Sequence, residues 1–185
     1  MVKRSPIDKR SNKDYWDKQH LLSAENPRSW KLEAESLKRA ADILWETWEQ
    51  DWRYNQTLKV GDECQPPVGS IAMMLFGFCI ENLVKSILAS KNRMLDEKGK
   101  FKERTHDLLK LFEKAEVKLD NDENYLVERL EQFIIWAGRY PIPLKAENKR
   151  PRTLSGGGFA PLHISGGNDK RIIDRLIDKL QSLVP

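Results

Sequence analysis

The sequence predicts an all-α protein, an up-and-down bundle of about five helices, and three observations carry that reading. Apolar residues recur at helical spacing in long runs, the period-two alternation of strands is scarce, and no strand-then-helix repeat suggests a parallel sheet. With 185 residues the chain suits one domain with a sizeable core. The expected layout is a charged arm over residues 1–28 followed by a single bundle over 29–185, with a long basic and glycine-rich loop at 144–167.

Within the arm, a short helix is expected near Tyr15 to Leu22. Trp30, Ala34, Leu37, Ala41, Leu44, Trp48 and Trp52 then step by three and four, which predicts a long amphipathic helix with Ser29 as its N-cap. Gly61, Pro66 and Pro67 end it. The next helix, from about Ser70 to Lys91, is apolar almost all the way round between Ile71 and Leu88. A polar connection, Arg93 to Arg104, reads as a mobile segment. Thr105 then caps a helix from His106 to Glu116, with Leu108, Leu109, Leu111 and Phe112 inward. Asp120 and Glu123 have capping-box spacing ahead of Leu126, Leu130, Phe133 and Ala137, and Gly138 or the prolines 141 and 143 end that helix. Asn168 caps a last helix that turns Ile173, Leu176 or Ile177, Leu180 and Val184 inward.

Composition narrows the function classes. The formal charge of +4 is concentrated in two places. Residues 1–20 carry six Lys or Arg against three Asp, and residues 145–152 carry Lys145, Lys149, Arg150 and Arg152 against Glu147. Such segments contact phosphate, although solvated tails have the same composition. Cys64 and Cys79 make neither a zinc spacing nor a disulfide framework, and Cys79 reads as a small buried thiol. The three histidines, His20, His106 and His163, have no metal-ligand spacing, so no metal and no cofactor is expected. The glycines at 156–158 and 166–167 lack the Lys-Ser or Lys-Thr of a phosphate-binding loop, and no Gly-x-Ser-x-Gly elbow is present. No apolar stretch follows the basic start as in a signal peptide, and only ten uninterrupted residues precede Glu81, short of a bilayer span. A cytoplasmic protein without membrane association is the expectation.

The chemistry concentrates where the apolar helix is interrupted by Glu81, Asn82 and Lys85. With so little wet surface on that helix, these groups are expected inside or in a cleft. Glu81 and Lys85, one turn apart, form an ion pair that either crosses the core or helps hold a ligand. His106 either packs at a helix start or transfers protons. In the stretch 136–143, Arg139 offers a planar fork for phosphate or carboxylate while Trp136 and Tyr140 offer stacking faces. Alternatively Arg139 neutralises Glu81, and the expectation is that Glu81, Lys85, His106 and Arg139 share one cluster.

Three segments, 78–85 (Phe-Cys-Ile-Glu-Asn-Leu-Val-Lys), 105–108 (Thr-His-Asp-Leu) and 136–141 (Trp-Ala-Gly-Arg-Tyr-Pro), in that order and spacing resemble the HEPN (higher eukaryotes and prokaryotes nucleotide-binding) superfamily of helical proteins, over about residues 30 to 143. The resemblance implies an up-and-down bundle, a homodimer, and a role near RNA or nucleotides in toxin–antitoxin or phage-defence settings, with an antitoxin-like protein as partner. Glu81, Asn82, Lys85, Trp136, Arg139, Tyr140, Lys149, Arg150 and Arg152 are the candidate binding residues, and His106 the candidate catalytic one. The chain departs from the catalytic members, whose Arg is separated from a His by four to six residues. Before His106 those positions hold Gly99, Lys100 and Phe101, and neither His20 nor His163 has an Arg there either. Lys100 is the nearest substitute, and lysine lacks the bidentate fork. The expectation is therefore a module that binds RNA, a nucleotide or a partner protein with weak catalysis or none. A metal-independent ribonuclease and a purely structural interaction protein are the alternatives.

Overall fold

The computed structural model describes residues 13–92, 94–153, 159–161 and 166–185, and six α-helices make up most of their regular structure. They are α1 (Lys13–Ala24), α2 (Pro27–Asn55), α3 (Gly69–Ser90), α4 (Leu108–Ala115), α5 (Asn121–Gln132) and α6 (Asp169–Leu183). Strand among the described residues is limited to β1 (Arg152–Thr153) paired antiparallel with β2 (Phe159–Ala160), plus one bridge between Leu95 and Phe101. The protein is an all-α bundle, as the periodicity predicts. Its count exceeds the expected five because α1 is a full helix of 12 residues. The glycine run at 156–158, His163 and the basic residues 3–10 lie outside the described residues.

Local signals set where the helices begin. Asn26 rather than Ser29 caps α2: its Oδ1 accepts the Arg28 N–H at 3.0 Å, and Pro27 takes the first helical position, where no N–H is needed. Asp107 rather than Thr105 caps α4, accepting the Lys110 N–H at 3.0 Å, so His106 precedes the helix instead of opening it. The Asp120–Glu123 capping box on α5 is formed in both directions. Asn168 makes no side-chain cap on α6; its Oδ1 accepts from Arg171 instead.

Helices α2 and α3 run antiparallel. Trp48 covers Gly69, the Trp45 ring lies 6.2 Å from Phe76, and Ser86 Oγ at the other end donates to the Pro27 carbonyl at 2.8 Å. A Cβ on Gly69 would stand 2.9 Å from the Trp48 indole, so glycine is what lets the two backbones approach there. Met73, Phe76, Ile80, Leu83 and Leu88 of α3 are fully buried, placing this helix at the centre of the core. It is also the one helix among the described residues long and apolar enough to cross a membrane, but 72% of its most apolar window is buried inside the bundle, as in a core helix. The Cys79 thiol lies within it, and burial pushes its pKa up to about 12.

The chain leaving α5 continues through a wider turn, a π-helical segment Phe133–Ala137 in which Gly138 N–H reaches back to the Phe133 carbonyl at 3.0 Å. This segment packs antiparallel to α3, with Ile134 over Gly77 and Gly138 against Met74. Helix α6 closes the core through Ile173, Leu176, Ile177 and Leu180. Its first residue is clamped by a buried pair: Arg129 donates to both carboxylate oxygens of Asp169 at 2.6 Å each. Asp169 also accepts the Gly166 N–H, anchoring the end of the long loop.

Within the connection from Arg93 to Arg104, residues 94–102 form a tight reversal. Asp96 Oδ1 accepts the N–H groups of Lys98 and Lys100, Gly99 supplies φ +71°, and Lys102 N–H donates to the Met94 carbonyl. Glu25, in the turn between α1 and α2, accepts the Leu95 N–H at 2.9 Å and fixes the reversal against the bundle.

Between α2 and α6, Lys38, Asp42, Lys170 and Asp174 form a partly exposed charge cluster. Partial burial pushes the Asp42 carboxyl up, but hydrogen bonding from Lys38 and the nearby Lys170 ammonium outweigh it and hold the group below its ordinary value. Burial likewise pulls Lys38 down, and its hydrogen bond and charge pairing with Asp42 and Asp174 leave it raised. A depressed carboxylate adds stability above its unfolded pKa and loses it as pH falls; a raised lysine adds stability below its unfolded pKa and loses it as pH rises. The cluster's contribution is therefore present between roughly pH 4 and 10 and fades outside it. Exposure keeps it below about 1 kcal/mol. Urea unfolding of wild type and Asp42→Asn should differ at pH 7, and the difference should shrink as pH falls below the ordinary carboxylate range; a constant difference would refute the linkage.

Candidate functional site

The chemistry gathers on one arc of α3. At about 100° per residue, Glu81, Lys85, Phe78 and Asn82 lie within roughly a quarter to a third of the helix circumference. Lys85 is the turn after Glu81, and its Nζ donates to Glu81 Oε1 at 2.5 Å with both side chains buried. The ammonium is also 5.7 and 5.6 Å from the ring centroids of Trp30 and Phe101, which stack on one another at 5.6 Å. Burial of this lysine is thus compensated by a carboxylate on one side and two π faces around it.

The second carboxylate oxygen of Glu81 accepts from His106 Nδ1 at 2.9 Å. Here the burial is unequal: the Glu81 side chain is 5% exposed and that of His106 52%. The imidazole also meets Phe78 edge-on at 5.8 Å. With Nδ1–H committed to the carboxylate, Nε2 is the nitrogen left without a partner among the described residues. With one oxygen on Lys85 and the other on His106, the buried Glu81 carboxylate orients the half-exposed imidazole.

Of the residues expected to converge, Glu81, Lys85 and His106 do, and Arg139 does not. Gly138 abuts Met74, where a Cβ would come 2.4 Å from the methionine Cβ, and this fixes Arg139 beside a point two turns before Glu81, about 10 Å along the helix axis. The exposed Arg139 guanidinium donates to the Ile135 carbonyl at 2.6 Å and lies 5.3 Å from the Tyr140 ring. Trp136 is also a correction. The π turn directs it inward, 5% exposed, with its Nε1–H donated to Gln132, so it offers no stacking face. Tyr140 remains exposed. Lys100 is on the 94–102 reversal, where its backbone N–H donates to Asp96 and its charge helps hold the Asp96 carboxyl below its ordinary value.

Asn82 donates one amide hydrogen to the Phe78 carbonyl at 2.8 Å, leaving Oδ1 without a partner among the described residues, on a groove. Lys149, Arg150 and Arg152 are exposed on the 3-10 turn Ala146–Lys149 and the start of β1. Arg152 donates to Asn148 Oδ1. Sequence reasoning did not assign Phe78, Trp30, Phe101 or Glu131 to this region. Glu131 accepts the Leu109 N–H at 3.1 Å at the start of α4, and burial raises its pKa. Only its polar identity on an inward arc of α5 could have signalled it. Among the described residues no cluster of His, Cys, Asp and Glu has the arrangement to hold a metal.

Compared with protein families, curated proteins and solved structures, the chain matches none. The class that fold and site define is an all-α bundle with a carboxylate-oriented surface histidine, and its function has to be argued from that geometry.

Proposed function

We propose that this chain is a HEPN-like helical module that binds RNA, with His106 meeting the ligand and the basic segment 145–152 supplying charge. The observation that carries the reading is the pair of a buried Glu81 and a half-exposed His106 whose Nε2 is unpartnered among the described residues. An imidazole held this way is preset to hydrogen-bond a phosphate oxygen or a ribose hydroxyl. Lys149 and Arg150, exposed and with no carboxylate paired to them among the described residues, add the sequence-independent attraction of phosphate contacts. A homodimer or a complex with an antitoxin-like protein belongs to the same proposal.

The test is fluorescence anisotropy with a labelled single-stranded RNA across a salt series. Lys149→Ala/Arg150→Ala is expected to weaken binding and to flatten the log–log salt slope by about 0.7 for each phosphate no longer neutralised. His106→Ala is expected to weaken binding at fixed salt. Wild type that fails to bind, or variants that bind as wild type does, would refute the proposal.

A second reading, metal-independent ribonuclease, is favoured by the same Glu81–His106 pair, because a carboxylate-oriented imidazole suits proton transfer from the 2′-hydroxyl as it attacks the adjacent phosphorus. Binding ranks first because the Arg139 guanidinium, the fork that would stabilise the pentavalent phosphate, donates to the Ile135 carbonyl about two turns of α3 away from Glu81. Wild type should leave RNA intact in EDTA; cleavage that disappears in His106→Ala would reverse the ranking.

A further inference from the structure

On the Asn82 side of the α3 arc, a groove of about 310 Å³, with His20 of α1 at its edge, opens between α1, α2 and the 94–102 reversal. Its lining is mainly apolar, and the rings of Trp30 and Phe101, stacked on one another, make one aromatic wall of it. The Trp30 indole N–H is already donated to the Ala24 carbonyl at 2.8 Å, so that residue offers the groove its ring and not its donor. Besides the Ser23 and Ser29 hydroxyls and the His20 ring, Asn82 and Glu33 bring acceptors to this groove. Among the described residues, neither Asn82 Oδ1 nor the exposed Glu33 carboxylate has a hydrogen-bond or ion-pair partner.

We infer that this groove is a subsite for a guanine base. A flat aromatic wall suits a planar ring, and stacking on aromatic side chains is how proteins hold unpaired bases. A cationic occupant is disfavoured because the Lys85 ammonium already sits against the same two rings. Among the four RNA bases, guanine alone presents two adjacent donors, N1–H and the N2 amino group, and a carboxylate accepts both at once. Glu33 takes that edge and Asn82 Oδ1 the remaining amino hydrogen, while the Ser29 hydroxyl on the same wall is available to O6. Because Asn82 follows Glu81 directly, the groove and the oriented imidazole are anchored on consecutive residues of one helix. The inference rests on the RNA-binding reading and gives it a base preference.

The experiment titrates the protein with GMP and, separately, with IMP, which differs only in lacking the N2 amino group. AMP, CMP and UMP serve as further probes. The readout is the indole N–H resonance of Trp30 by nitrogen-15 NMR, assigned by its loss in Trp30→Phe. GMP is expected to shift this resonance saturably and to bind about tenfold more tightly than IMP, the scale of a charge-assisted hydrogen bond. Glu33→Gln, a change at an exposed position, is expected to reduce the preference for GMP over IMP several-fold, leaving the share that Asn82 Oδ1 supplies, while the circular dichroism stays unchanged. Equal affinity for GMP and IMP, or a Trp30 resonance unmoved by GMP, would overturn the subsite. RNA binding through Lys149 and Arg150 that persists without any GMP preference sinks the subsite alone. A GMP preference in a protein that does not bind RNA leaves the subsite standing and sinks the RNA reading.

Discussion

Replacing Arg129 by Ala is expected to lower the unfolding free energy by about 3 to 5 kcal/mol, the largest effect of any single polar substitution in this fold. The guanidinium and the Asp169 carboxylate are both almost fully buried and joined by two parallel hydrogen bonds. Removal of the arginine leaves Asp169 charged and desolvated, with the Gly166 N–H as its remaining side-chain partner among the described residues. The arginine also lies 5.0 Å from the Tyr125 ring, and that cation–π attraction disappears with it. Urea unfolding at pH 7 provides the measurement. The double variant Arg129→Leu/Asp169→Leu should recover much of the stability, because the cost comes from the stranded charge rather than from the missing bond. A single variant within about 1 kcal/mol of wild type would show that the pair contributes little.

Glu81→Ala is expected to cost about 3 kcal/mol or more and, in addition, to weaken RNA binding to the level of His106→Ala. Both consequences follow from one carboxylate with two partners. Lys85, 6% exposed, keeps only the rings of Trp30 and Phe101, which offset part of the penalty at about 0.5 to 2 kcal/mol. His106 keeps its exposure and loses its orientation. Glu81→Gln separates the two effects: the amide can still accept from the imidazole, yet it cannot neutralise the ammonium. Unfolding curves and anisotropy on both variants give the answer. RNA affinity that survives Glu81→Ala while falling in His106→Ala would show that the carboxylate does not position the histidine.

What was legible in the sequence was local. The three-and-four spacing from Trp30 to Trp52, the apolar run of α3, the Asp120–Glu123 box and the Glu81–Lys85 pair are all decided within one or two turns, and each appears in the structure. Helix starts were less legible because adjacent residues compete for the cap. Asn26 with Pro27 prevails over Ser29, and Asp107 over Thr105. Arg139 and Trp136 illustrate the limit. Their directions depend on a π turn that shifts the register after Gln132 and on the packing of Gly138 against Met74, and neither is encoded in the spacing of the segment itself. The stacking of Trp30 on Phe101 joins residues 71 apart, and a single sequence has no signal for that. The HEPN-like reading stays a proposal that the anisotropy and nucleotide titrations decide.

The central position of α3 also governs how the protein comes off the ribosome. Its α2 partner precedes it, so one side of the hairpin can close as soon as both have emerged. The surface destined for the 133–137 segment and α6, including Phe76 beneath Lys170, has to wait for chain synthesized much later. During that interval an apolar helix stands half covered, the condition under which nascent chains aggregate or recruit chaperones. Slow translation downstream of residue 90 would lengthen this exposure, so the folding yield in cells depends on how quickly the ribosome delivers α6 as well as on the stability of the finished bundle.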